Sequence, residues 1–191
     1  MTSRIAINTI DQSVWFTSDT HFGHRNILKF CEKTRPFESA SEMDAALIRN
    51  WNAKVQPNDI VFHLGDFSFG NLTHTKNVLE QLNGRKILIY GNHDQVIRDN
   101  QSAQDYFEAC VDYLRVKIDE TTVCLMHFPI FSWDCKGHGS FHLHGHTHAA
   151  YLNGMKGRFL DVGVDARSDQ GVWSWAEIRE RLNAVECMDW N

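Results

Sequence analysis

The sequence predicts an α/β protein with mixed sheets and helices outside. Three observations predict it. Apolar runs alternate with helical patterns through the first half of the chain. Strand-like runs then dominate from about residue 111 onward. Hydrophobic residues make up 42% of 191 positions, enough for a sizeable core in one domain spanning 1–191.

The elements follow in order. Val14-Trp15-Phe16-Thr17 reads as a strand running into Ser18-Asp19. Residues 24–30 read as a short helix, broken before Pro36. Ser39 and Glu42 form a capping-box signature, and Met43, Leu47, Trp51 and Val55 follow at four-residue steps along one helix face. Pro57-Asn58 ends that helix, and 59–64 is the next strand, leading to Gly65-Asp66. Residues 72–82 read as a helix with Gly84 as its C-terminal cap, and 86–90 as a strand ending at Gly91-Asn92. The spans 111–118 and 121–127, with Asp119-Glu120 between them, predict a hairpin. Strands follow over 140–146 and 158–162, and Ser174-x-x-Glu177 caps a last helix through about Val185.

Composition narrows the function classes. The net charge is −5 and the pI about 6.1, whereas a protein gripping extended nucleic acid usually carries a basic face. The five cysteines are scattered, odd in number and without a Cys-x-x-Cys pair, which predicts separate reduced thiols. Asn8 and Thr9 fall where a signal peptide needs an apolar core, and no window is long and apolar enough to span a membrane. A cytoplasmic protein is expected.

The chemistry lies in five short blocks: Asp19-x-His21, Gly65-Asp66, Gly91-Asn92-His93-Asp94, His127 and Gly145-His146-Thr147-His148. Each lies at or just after a strand-like run. In open α/β sheets, ligands gather beyond the carboxyl ends of strands, so Asp19, Asp66 and Asn92 are expected at one edge. Carboxylate and amide oxygens mixed with imidazoles suit divalent first-row ions. Two such ions held close together activate water against phosphorus. That makes seven candidate ligands, Asp19, His21, Asp66, Asn92, His127, His146 and His148, with His93 left for proton or charge work. Asp-x-His and Gly-Asp are each weak alone. His142 and His144 alternate with His146 and His148, but read as supporting or structural. His24 opens a helix whose N-terminus favours anions and is a candidate phosphate contact, against a plain first-turn role. His63 reads as a core histidine. Asp161 and Asp165 read either as supports for ligands or as surface turn residues. Phe67 and Phe69 read either as an apolar wall beside the site or as ordinary packing.

Taken together and in this order, the five blocks resemble those of the calcineurin-like metallophosphoesterases. Asp19-Thr20-His21-Phe22-Gly23-His24 resembles the first block of small bacterial and phage members. The resemblance implies two packed mixed β-sheets flanked by helices, a four-layer αββα sandwich. It implies two divalent metals, manganese foremost, with iron, zinc, nickel or cobalt also compatible. Asp19, His21, Asp66 and His148 would hold one ion; Asp66, Asn92, His127 and His146 the other. His93 would protonate the leaving oxygen, and His24, Asn92 and His93 would meet substrate. Phe69 and Gly70 stand where the protein phosphatase branch carries an Asp and an Arg, which disfavours protein dephosphorylation. Asp94 or a backbone carbonyl is then expected to orient His93. The expected substrate is a small phosphomonoester or phosphodiester, a nucleotide or cyclic nucleotide among them. The alternatives are a nuclease of the same fold and a non-catalytic metal-holding scaffold. The oligomeric state is left open.

Overall fold

The computed structural model describes residues 5–9, 12–150 and 152–187. Residues 1–4 and 10, on which the argument about a leader partly rests, lie outside them. Among the described residues, no helix is long and apolar enough to cross a membrane.

Two mixed five-stranded sheets form the centre. In the first, β2 (Val14–Thr17), β3 (Ile60–His63), β4 (Arg85–Ile89) and β5 (Phe107–Val111) run parallel, and β10 (Trp173–Ser174) adds antiparallel to β2. In the second, the order is β1 (Ile5–Ile7), β6 (Tyr113–Ile118), β7 (Thr121–Met126), β8 (Phe141–His144) and β9 (Phe159–Asp161). Only the β6–β7 hairpin is antiparallel there. Its turn contains Asp119 at φ 50°, so the Asp119-Glu120 expectation holds.

The alternation of side chains along each strand divides the apolar residues into two cores. Phe16, Phe62, Ile87 and Ile89 of the first sheet meet Val123, Leu125, Phe141 and Leu143 of the second. On the first sheet's other face, Val61 and Leu88 pack under Met43, Leu47 and Trp51 of α2 (Ala40–Asn52) and Val78 and Leu79 of α3 (Leu72–Gln81). A short α1 (Ile27–Phe30) joins that layer. Two further short helices, α4 (Gln95–Arg98) and α5 (Gln101–Gln104), complete it. The last helix, α6 (Trp175–Asn183), sends Trp175, Ile178 and Leu182 into the core between the sheets. Its Ser174–Glu177 capping box is complete. At α2 the box is half made: Ser39 accepts from the Glu42 amide, but Glu42 reaches back to the amide of Glu38. Gly84 is not the cap of α3. That helix passes through extended Leu82, and Gly84, at φ 91°, turns the chain into β4.

Two core histidines give the fold a pH dependence. Burial pushes His63 down to about 3 and His142 down to about 4. Unfolded histidine titrates near 6.5, so between that pH and the folded values the unfolded chain binds protons the fold excludes. The contribution of these two groups to stability is therefore complete above about pH 6.5 and is expected to fall by several kcal/mol as pH drops toward 4. Urea unfolding midpoints at pH 7 and 5, with His142→Asn flattening the slope, check this.

Candidate active site

All five blocks follow strand ends: β2, β3 and β4 of one sheet, β7 and β8 of the other. The parallel pairing of β7 with β8 brings His127 beside the 145–148 turn, where the Gly145 amide donates to the His127 carbonyl at 2.9 Å. The two sheets are joined at this edge by a bridge between Ser18 and Gly163. The turns are strained. Asp19, His21, Asp66, His146 and His148 all have φ between 47° and 67°. For a residue with a Cβ that conformation costs about 1–2 kcal/mol each, and such costs gather at functional sites. Two glycines of the blocks leave room for carboxylates. A Cβ on Gly145 would lie 2.4 Å from Asp19 Oδ2, and one on Gly91 would lie 2.2 Å from Asp66 Oδ1.

The side chains converge on Asp66. Its Oδ2 lies 3.6 Å from His21 Nε2 and 3.5 Å from His127 Nε2. Its Oδ1 accepts from the His93 amide at 2.9 Å. Asp19 Oδ1 lies 3.9 Å from the Nε2 atoms of both His21 and His148. Donor atoms of Asp19, His21 and His148 cluster within 4.8 Å of one another, as do those of Asp66, His127 and His146. Asn92 Oδ1 lies 3.1 Å from His127 Nε2. The seven candidate ligands thus form two adjoining sets, with Asp66 between them.

The imidazoles are aimed by their outer nitrogens. His127 Nδ1 is 2.7 Å from the Leu64 carbonyl, and His148 Nδ1 is 2.7 Å from Asp165 Oδ2, which leaves each Nε2 turned inward. Asp165 is buried and paired with Arg35 at 2.7 Å. It is therefore a support, not a surface turn residue. Arg35 also donates to the carbonyls of Thr20 and Asp19 at 3.0 and 2.5 Å, pinning the first block from below. Asp161 supports the last block, accepting from Thr147 Oγ1 and the Ala149 amide. Ser18 donates to Asp19 Oδ2 at 2.6 Å. The sequence reading missed Arg35 and Ser18 altogether.

Asp94 has a different task from the one expected of it. It is fully buried, and its oxygens accept from the backbone amides of Asp66, Phe67 and Gly91 at 2.7 to 2.9 Å. It shapes the Asp66 turn, and among the described residues no hydrogen bond joins it to the His93 ring. His142 and His144 face away from the centre: His142 accepts from the Ile130 amide and packs on Trp133. Phe67 is core, packed on Phe22, His63 and Phe107. Phe69 is 42% exposed at the rim, stacked on His24 and against His93. Across the site Phe128, 37% exposed, packs on His127 and His146. Phe128 was not singled out from sequence; an apolar residue directly after a ligand histidine was the available signal.

Burial shifts the titration of several of these groups. Burial pushes Asp19 up to about 7 despite His127 and His148 nearby. Burial, then Arg35 and neighbouring histidines, push His21 down to about 2. For His148, burial is outweighed by its bonds to Asp165 and Cys31 and by the Asp19 charge, which raise it to about 10. Both ring nitrogens of His21 are buried without a hydrogen-bond partner. A buried polar atom left unpaired is costly, so this imidazole, one nitrogen an acceptor and the other a donor, asks for partners that the described residues do not supply. Carboxylate, amide and imidazole donors facing one space fit divalent metal ions.

Residues 13–164 match the calcineurin-like phosphoesterase superfamily domain. The uncharacterized protein MJ1445 of Methanocaldococcus jannaschii is 36% identical over 144 residues, covering 74% of this chain and 73% of its own. The gene 66 protein of Mycobacterium phage D29 is 32% identical over 201 residues, covering 91% and 98%. A crystal structure of the protein of unknown function AQ665 from Aquifex aeolicus superposes with a TM-score of 0.71 at 25% identity, over 90% of this chain and all of that one.

Proposed function

This chain belongs to the calcineurin-like phosphoesterase superfamily, and from that premise we propose that it works as one domain that hydrolyses a small phosphomonoester or phosphodiester with two divalent ions. The observation that carries this reading is the shared carboxylate: Asp66 Oδ2 stands at nearly equal distances from His21 Nε2 and His127 Nε2. Asp19, His21, Asp66 and His148 would hold one ion, and Asp66, Asn92, His127 and His146 the other. Such a pair, when bound, supplies Lewis acidity to phosphoryl oxygens and an acidified water as nucleophile. Manganese is the first metal to try.

The remaining work falls to the protein. His93 is 43% exposed at the side chain and 4.0 Å from Asp66, at the rim where a leaving group would depart. An imidazole at that place can hand a proton to the leaving oxygen. His24, at the same rim, would contact phosphate. Phe128 lines the mouth with a partly exposed ring, which supports substrates with a flat group such as a nucleobase. The net charge of −5 favours such small substrates over a nucleic acid polymer.

A turnover screen of manganese-loaded protein against nucleotide monoesters, diesters, cyclic forms and single-stranded polymers tests the reading. Small esters are expected to turn over and polymers not. His93→Ala is expected to lower kcat by about 10²–10⁴-fold with KM little changed. Cleavage of polymers alone would select the nuclease. No turnover of any ester, with His93→Ala indistinguishable from the parent, would select the scaffold.

A further inference from the structure

We propose that Phe69, backed by His24, is a positioning residue that holds the His93 imidazole in its working orientation. The proposal rests on the phosphoesterase reading for what His93 does, and on geometry for how it is held.

His93 needs a holder. Its ring is half exposed on a turn, its backbone amide is fixed to Asp66, and its ring nitrogens make no hydrogen bond among the described residues. The neighbouring carboxylate, Asp94, is spent on backbone amides. Apart from Asp66 Oδ2, 4.0 Å from Nε2, the groups against the ring are aromatic. The Phe69 centroid lies 4.5 Å away at 46°, and that of His21 lies 5.8 Å away at 55°. Tilted rings at such distances attract one another and resist rotation.

Phe69 can hold His93 because it is itself held. Its other face stacks on His24 at 3.8 Å and 10°. The two rings come from loops bonded to each other. Phe22 donates to the Phe67 carbonyl and Phe69 donates to the Phe22 carbonyl, both at 2.9 Å. The floor is tight: the Gly23 amide is bound by Asp44, and a Cβ on Gly70 would lie 2.2 Å from His74 Cδ2. Ser68 Oγ ties the loop down, accepting from Thr75 and from the Gly70 amide. His24, Phe69 and His93 form a row of three rings, stacked at the first step and tilted at the second.

The test compares Phe69→Ala, Phe69→Leu and Phe69→Tyr, each alone and with His93→Ala. Phe69→Ala and Phe69→Leu are expected to lower kcat about tenfold, the worth of one aromatic pair, with KM within about twofold. Phe69→Tyr is expected to keep the parent rate. In the His93→Ala background, Phe69→Ala is expected to cost nothing further, because the group it positions is gone. The second readout needs no activity. In the metal-free protein, the His93 Cε1 and Cδ2 proton resonances are expected to carry a ring-current shift that Phe69→Ala and Phe69→Leu abolish and Phe69→Tyr retains. A raised KM with unchanged kcat in both backgrounds would make Phe69 a substrate wall and overturn the proposal. So would His93 resonances indifferent to Phe69. If no phosphoester is turned over, the resonance arm still decides the positioning claim, so the two readings fail separately.

Discussion

Arg35→Ala is expected to destabilise the protein by about 3–5 kcal/mol, because it leaves a buried carboxylate without its partner. The side chains of Arg35 and Asp165 are each 1% exposed. The guanidinium fills a fork: Nε and one terminal nitrogen go to Asp165, and the terminal nitrogens also reach the carbonyls of Thr20 and Asp19. Burial would raise the Asp165 pKa, but the bonds from His148 and Arg35 hold it below the usual carboxylate range. For a chain of this size the loss corresponds to a fall of roughly 6–20 °C in Tm. Arg35→Lys is not expected to rescue it, since a point charge cannot serve both the carboxylate and two carbonyls. Because Asp165 also binds His148 Nδ1, the variant should bind the ion of the Asp19, His21 and His148 set more weakly than the other. A Tm within about 1 °C of the parent, a shift ordinary surface substitutions produce, would refute the anchoring role.

Asp66→Asn is expected to leave the fold intact and abolish metal-dependent behaviour. Asn is nearly isosteric and tolerates the left-handed backbone that Asp66 adopts at φ 56°. The turn stays fixed by Asp94, which holds the residue's own amide. What disappears is the charge between His21 and His127. The metal-free Tm should stay near that of the parent. In the parent, manganese at about 100 times its Kd adds about 2.7 kcal/mol per site; in the variant that gain should vanish. Turnover should fall at least as far as the about 10⁴-fold upper limit for loss of an acid–base group, because both ions lose a ligand. A full metal-induced Tm shift in the variant would remove Asp66 from its shared position.

Much of this was legible in the chain because local signals and tertiary needs coincide. An apolar run followed by Ser-Asp, Gly-Asp or Gly-Asn marks a buried parallel strand and the turn that presents a donor, and β2, β3 and β4 were read that way. The hairpin and the last helix carried their own turn and capping residues. β5 was missed because Phe107–Val111 alternates weakly and is half exposed beyond its first residue. The short pairings of β1 and β10 have no sequence pattern to detect. Arg35 was invisible for another reason: its partner Asp165 is 130 residues away in sequence, and a lone arginine before a proline has no periodicity. Asp94 was one of two groups expected to orient His93, the other a backbone carbonyl, yet its oxygens are taken by the backbone amides of Asp66, Phe67 and Gly91. Phe67 and Phe69 were read together, either as a wall beside the site or as ordinary packing. Two residues apart, they diverge, one into the helix-side core and one onto the rim.

Manganese anomalous scattering from crystals of the loaded protein tests the shared-carboxylate account most directly. Two peaks are expected about 3.5–4 Å apart, one beside Asp19, His21 and His148, the other beside Asn92, His127 and His146, with Asp66 touching both. A single peak, or two peaks with Asp66 bound to only one, would contradict it.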